Sequence, residues 1–123
     1  MQKVVNILNK RANFDYEILY KYDAGIVLTG TEIKSIRLGK ASIAESFCEF
    51  NNDTELFLIN ATIQEYSFGN QFNHKPKSER KLLLNKKELR KLQKEVQNQG
   101  LTIIPLKLYT NENGLAKLEI ALC

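Results

Sequence analysis

The chain has 123 residues, is 43% hydrophobic and 26% charged, and carries a net charge of +4. That is enough for one domain, residues 1–123, to bury a core without covalent staples. No apolar run approaches the roughly 18 residues of a membrane-spanning helix, and "MQKVVNILNKRANF" lacks the long apolar stretch of a secretory leader. A soluble, cytoplasmic protein with no membrane association is therefore expected. Cys48 and Cys123 form no Cys-x-x-Cys pair, and His74 is the single histidine, so neither a zinc set nor any other cofactor is expected. Two thiols allow a disulfide on number alone, but nothing indicates an oxidising compartment, and they are read as a packed Cys48 and a terminal Cys123.

The charge is unevenly placed. Residues 75–94 hold nine lysines and arginines against Glu79 and Glu88, a net of +7 that leaves −3 for the rest of the chain. Such concentration suits either a polyanion-binding surface or a solvated loop and helix face.

In chain order, "FDYEILYKY" (14–22) alternates, with Phe14, Tyr16, Ile18, Tyr20 and Tyr22 sharing one face, and predicts a half-buried strand. After Asp23-Ala-Gly25, "IVLTG" continues extended, with Gly25 a candidate bulge or bend. "TGTEIKSIRLGK" then predicts a short helix over 31–38. Thr29 or Thr31 caps it, Glu32 stands in its first turn, Ile33 and Ile36 share a buried face, and Lys34 and Arg37 share an outer one. Strands are predicted at 46–51 and 55–63 across an "NDT" turn. The polar, aperiodic "EYSFGNQFNHKPKSERK" is read as a long mobile loop. A second helix, 86–98, carries the clearest signals: Asn85 as N-cap, Glu88 as its capping-box partner, and an apolar stripe of Leu89, Leu92 and Val96. Two last strands, 101–110 and 115–122, flank an "NENG" hairpin turn, and Pro105 marks an edge or a bulge. Mostly hairpin-linked strands with two helices give a mainly-β fold: an OB-like antiparallel β-barrel with short peripheral α-helices.

Catalytic signatures are missing. The sequence has no phosphate-cradling Gly-Lys-Ser/Thr loop and no nucleophile elbow, and Asp15 and Glu17 read as solvated carboxylates. Binding fits better. Tyr66, Phe68, Phe72 and His74 lie among amides and bases, which suits stacking on unpaired bases and pairing with phosphates. Packing of Phe68 and Phe72 beneath the loop is the alternative. So is a protein-interaction barrel whose bases meet an acidic partner.

Six segments, "NKRANFDY", "AGIVLTGTEIKSIRLGKASI", "LFLINATI", "GNQFNHKP", "RKLLLNKKEL" and "GLTIIPLKLY…KLEIALC", together resemble the SsrA-binding (small protein B) family over residues 9–123. The resemblance implies an OB-like barrel, not an enzyme, that binds the tRNA-like domain of transfer-messenger RNA and brings it to stalled ribosomes for trans-translation. Through the RNA it also implies alanyl-tRNA synthetase and elongation factor Tu as partners, and a monomer is expected. Matched to the family's RNA-binding positions are Asp23, Leu83 and Asn85, with Lys34, Arg37 and Lys40 assigned to phosphates. Asn70 and His74 of "GNQFNHKP" and Arg80 and Lys81 of "RKLLLN" complete the expected site. An acid such as Asp23 meets RNA sensibly only by accepting from a base amino group or a 2′-hydroxyl. The family is expected to continue past "IALC" into a basic tail that acts in the ribosome's decoding region.

Overall fold

The computed structural model describes residues 5–69 and 73–123. In chain order these form β1 (Asn6–Leu8), α1 (Ala12–Asp15), β2 (Tyr20–Ile26), α2 (Gly30–Arg37), β3 (Ala41–Ser42), β4 (Phe47–Phe50), β5 (Leu56–Ile59), β6 (Thr62–Ile63), β7 (Arg80–Leu83), α3 (Lys86–Gln99), β8 (Ile103–Thr110) and β9 (Ala116–Leu122). Six strands run in the order β8-β4-β5-β7-β2-β9, and pairing of β9 with β8 closes them into an antiparallel barrel. β1 lies against β8 beside β4: Asn6–Leu8 face Tyr109–Lys107, while Cys48 of β4 faces Ile103. β3 and β6 form a separate two-stranded ribbon.

Alternation builds the barrel. In β9, Ala116, Leu118, Ile120 and Leu122 point inward and are buried, while Lys117 and Glu119 between them remain part-exposed. β8 departs from alternation over Ile103–Leu106, all buried. Ala12 of α1 packs outside the seam with Ile104, Leu106 and Ala121, so that stretch is covered on both faces. The pairing slips between Pro105 and Lys107, where the proline predicts a bulge. Leu92 of α3 and Ile36 of α2 are wholly buried in the main core, with Leu89 and Val96 packed beside them.

Three expectations need correction. Residues 14–22 are not one strand: a short helix ends at Asp15 and β2 begins only at Tyr20. Tyr16 and Leu19 are 42% and 46% exposed, and alternation specifies a strand only where one face is buried. The 55–63 strand breaks at Asn60, which adopts a left-handed φ of 65° and donates its side-chain amide to Glu45 O at 3.1 Å. β6 can then leave the barrel for β3. Finally, the basic loop ends sooner than the composition implies, because Arg80–Leu83 form a barrel strand between β5 and β2.

That strand holds the main internal ion pair. In α2, Thr29 and Glu32 form the capping box, Thr29 N–H donating to Glu32 Oε1 at 2.8 Å. Glu32 Oε2 accepts from Arg80 Nε at 2.6 Å, with both side chains at most 5% exposed. The rest of the Arg80 guanidinium donates to the carbonyls of Ala61, Lys75 and Pro76. Breaking this buried pair from one side should cost about 3–5 kcal/mol, because a desolvated charge is left behind. Urea unfolding of Arg80→Ala and Glu32→Ala should show that loss. The double replacement Glu32→Ala/Arg80→Ala should lose less than the two single losses combined, and strict additivity would contradict the pairing.

Candidate nucleic-acid interface

The outer face of β7, β2, β9 and β8 carries two of the exposed residues expected at the site, Asp23 and Leu83, and leads to a third, Asn85. The register places Leu83 opposite Gly25, Gly25 opposite Lys117, and Lys117 opposite Tyr109. The next outward row is Asp23, Glu119 and Lys107. A Cβ on Gly25 would lie 3.3 Å from Leu83 Cβ, so the missing side chain lets Leu83 sit close over β2. Leu83 is 51% exposed there, an apolar contact on an otherwise polar face. Continued past Leu83, the antiparallel direction carries the chain to Asn85 at the Asp23 end of β2.

Asp23 is exposed and oriented by one bond, Tyr109 Oη donating to its Oδ1 at 3.2 Å. Lys107 Nζ stands 4.8 Å from the centre of the Tyr109 ring. Desolvation, followed by the nearby Asp23 and Glu119 carboxylates, holds the Tyr109 phenol above its ordinary pKa. Neither Tyr109 nor Lys107 carries a local sequence signal of this role; only the strand register brings them beside Asp23.

Asn85 performs its cap with one end of its amide. Its Oδ1 accepts from Glu88 N–H at 2.8 Å, and Glu88 Oε1 accepts from Asn85 N–H at 3.4 Å. Among the described residues its NH₂ has no partner, and the residue is exposed, so a donor stays available. Behind it, Lys86, Lys87, Arg90, Lys91 and Lys94 line the exposed side of α3. A groove of about 520 Å³ between α3, β7 and the turn before β5 is lined in part by Leu83, Lys81, Lys86 and Arg90, joining the leucine to this basic face. Lys81 is part-exposed and paired with Glu55; hydrogen bonds from Lys81 and Asn51 hold that carboxyl below its usual range.

The remaining expected residues divide. Lys34, Arg37 and Lys40 are exposed on or just after α2, and Arg37 donates to Gly114 O at 3.2 Å in the β8–β9 turn. Asn70 and Phe72 lie outside the described residues. Arg80 and His74 are not surface groups, and here the expectation is corrected. Arg80 is 2% exposed with its donors engaged internally. His74 is 8% exposed, its ring nitrogens 2.9 Å from Thr31 Oγ1 and from Ile63 O. Both position the surface from beneath. Among the described residues, no group of three His, Cys, Asp or Glu converges on a metal site. Burial pushes the Cys48 thiol far above its ordinary range, which keeps it inert.

Comparison with known proteins follows the same lines. The profile of the family described as "SmpB protein" matches residues 6–123. The chain is 75% identical to the SsrA-binding protein of Flavobacterium psychrophilum over 123 residues, all of this chain and 81% of that relative. It is 57% identical to the SsrA-binding protein of Bacteroides thetaiotaomicron over 121 residues, 98% of this chain and 80% of that one. Among solved structures, a chain of "tmRNA-SmpB: a journey to the center of the bacterial ribosome" superposes with a TM-score of 0.77 at 50% identity, covering 95% of this chain and 81% of its own. The chain belongs to the SmpB protein family.

Two outcomes follow from the site geometry. Asn85→Ala should lose about 0.5–2 kcal/mol in chemical unfolding, whereas Asn85→Asp, an equally good cap, should keep its stability. Equal losses would show that the cap is not what Asn85 provides. In a spectrophotometric titration, Asp23→Asn should bring one raised tyrosine pKa back down, because the anion that disfavours phenolate is gone. By linkage, the surroundings that raise the Tyr109 pKa, burial first and Asp23 second, favour the fold fully below the ordinary phenol pKa, and that contribution is lost as pH rises through the raised one.

Proposed function

With SmpB-family membership as the premise, we propose that this chain binds the tRNA-like domain of transfer-messenger RNA and delivers that RNA to stalled ribosomes in trans-translation. It acts as one domain and a monomer in the cytoplasm, and by binding rather than by catalysis. Alanyl-tRNA synthetase and elongation factor Tu are met through the RNA. The observation that carries the reading is the exposed edge of Asp23, Leu83 and Asn85 running into the basic face of α3. Each group offers something RNA can use. Asp23 accepts from a base amino group or 2′-hydroxyl, Leu83 packs on a base or ribose, Asn85 donates from its free NH₂, and the lysines and arginines meet phosphates. Lys34, Arg37, Lys40 and Lys81 add phosphate contacts in this reading, and Asn70 is assigned to the same RNA by its place in the family segment. An acidic protein partner fits less well, because Asp23 and Glu119 stand in the middle of the face it would cover.

A gel-shift titration of transfer-messenger RNA against an ordinary tRNA tests this. The chain should prefer the former, with affinity falling steeply as salt rises. Asp23→Ala should weaken binding by about 1–3 kcal/mol, the scale of one good base-edge contact, at unchanged unfolding midpoint. Wild-type affinity in Asp23→Ala at matched salt would remove Asp23 from the site.

A further inference from the structure

Phe68 is 78% exposed, the most exposed large apolar side chain among the described residues. It does not sit on slack chain. Tyr66 N–H donates to Asn73 Oδ1 at 3.0 Å, Asn73 Nδ2 donates to Tyr66 O at 2.6 Å, and Gly69 N–H closes onto Tyr66 O at 2.9 Å. The turn is seated against α2: a Cβ on Gly69 would fall 2.6 Å from Asn73 Nδ2 and 3.0 Å from Thr31 Cγ2. Buried His74 then fixes the strand end of the loop to Thr31 and Ile63.

On this support the Tyr66 and Phe68 rings meet edge to face, with centres 5.5 Å apart and planes at 70°. Lys34 Nζ lies 5.4 Å from the centre of the Tyr66 ring. Tyr66 is thus a part-buried buttress, and Phe68 is presented to solvent. Exposed Lys34, Arg37 and Lys40 stand on the adjoining helix and its exit, and the Lys40 carbonyl accepts from Gln64 N–H at 3.0 Å where the loop begins. Glu65 is the one acid within residues 64–69.

We infer that Phe68, buttressed by Tyr66 and flanked by Lys34, is a stacking platform for an unpaired nucleobase, a second RNA contact apart from the Asp23–Leu83–Asn85 edge. The inference rests on the proposed RNA binding. A fixed aromatic ring held in water beside cations matches a flat base with its phosphate nearby. A duplex does not fit, because its bases offer no free face and the A-form major groove excludes side chains. The platform lies beside α2, which follows the Ile26 end of β2, and the proposal assigns it a nucleotide other than the one at Asp23.

The test compares wild type, Phe68→Ala, Phe68→Trp, Lys34→Ala and Asp23→Ala in titrations with the tRNA-like domain of transfer-messenger RNA and with a fully paired RNA hairpin. Phe68 is exposed enough for its replacement to leave the fold intact, which the unfolding midpoint checks. Phe68→Ala should bind the tRNA-like domain about 5- to 150-fold more weakly with an unchanged salt slope, and should bind the paired hairpin like wild type. Lys34→Ala should instead lower the salt slope by about one phosphate contact. Phe68→Trp should retain affinity, and its indole, in a chain that otherwise has no tryptophan, should be quenched at saturation. Wild-type affinity in Phe68→Ala, or unquenched Phe68→Trp in a saturated complex, overturns the platform. If Asp23→Ala weakens binding while Phe68→Ala does not, the platform falls alone and the ring is left to a protein contact. If wild type does not bind the RNA, the functional reading falls with it.

Discussion

Glu32 and Arg80 hold the working surface in place. One carboxylate closes the start of α2 with one oxygen and grips the Arg80 guanidinium with the other. The same guanidinium gathers the carbonyls of Ala61, Lys75 and Pro76. Helix, barrel strand, strand exit and loop thus converge on one desolvated charge pair. Hydrophobic packing would tolerate small shifts among these parts, since apolar contact is non-directional. A forked donor with fixed acceptors does not. Leu83 is three residues along β7 from this anchor, and Tyr66 lies in the loop that Arg80 and His74 pin, so the positions of both follow from it.

What the sequence revealed depended on how local each signal was. α2 and α3 were legible because their start signals are local: a threonine cap with Glu32 in the first turn, and the Asn85–Glu88 capping box; that Thr29 rather than Thr31 caps α2 needed the structure. The last hairpin was legible because β9 is buried on one face and its alternation is undisturbed. Residues 15–19 misled because Asp15, Tyr16, Glu17 and Leu19 are exposed and Ile18 alone among them packs against a core cluster. Arg80 misled in another way. By residue type it belongs to the basic cluster, and only its inward place two residues before Leu82 separates it from outward Lys81. Its partner is 48 residues away, beyond any local pattern. Asp23, Leu83 and Asn85 came from family resemblance; Tyr109 and Lys107 needed the register.

The exposed face mixes acids with its bases, and the mixture has a physical consequence. Lysines on α3 attract any polyanion and fall off with salt. Asp23 and Glu119 set a repulsive element among them, so a phosphate brought against that patch is disfavoured while a base edge or ribose hydroxyl is not. In the proposed reading affinity and orientation fall to different residues: α3 supplies the pull, and the β2–β9 rows supply the alignment.

The seam of the barrel also constrains how the protein is made. β9 must pair with β2, so that Tyr20 meets Leu122 and Gly25 meets Lys117, and it must pair with β8 as well. Until residues 116–122 are free of the ribosomal exit tunnel, β2 has an unfilled edge and the core lacks Leu118, Ile120 and Leu122. Closure of the barrel is therefore gated by the emergence of β9. Contacts of such long sequence separation place closure among the slower folders, on the order of milliseconds to seconds. A nascent chain stalled before β9 cannot complete the barrel, and it presents an open strand edge on which chaperones or proteases can act.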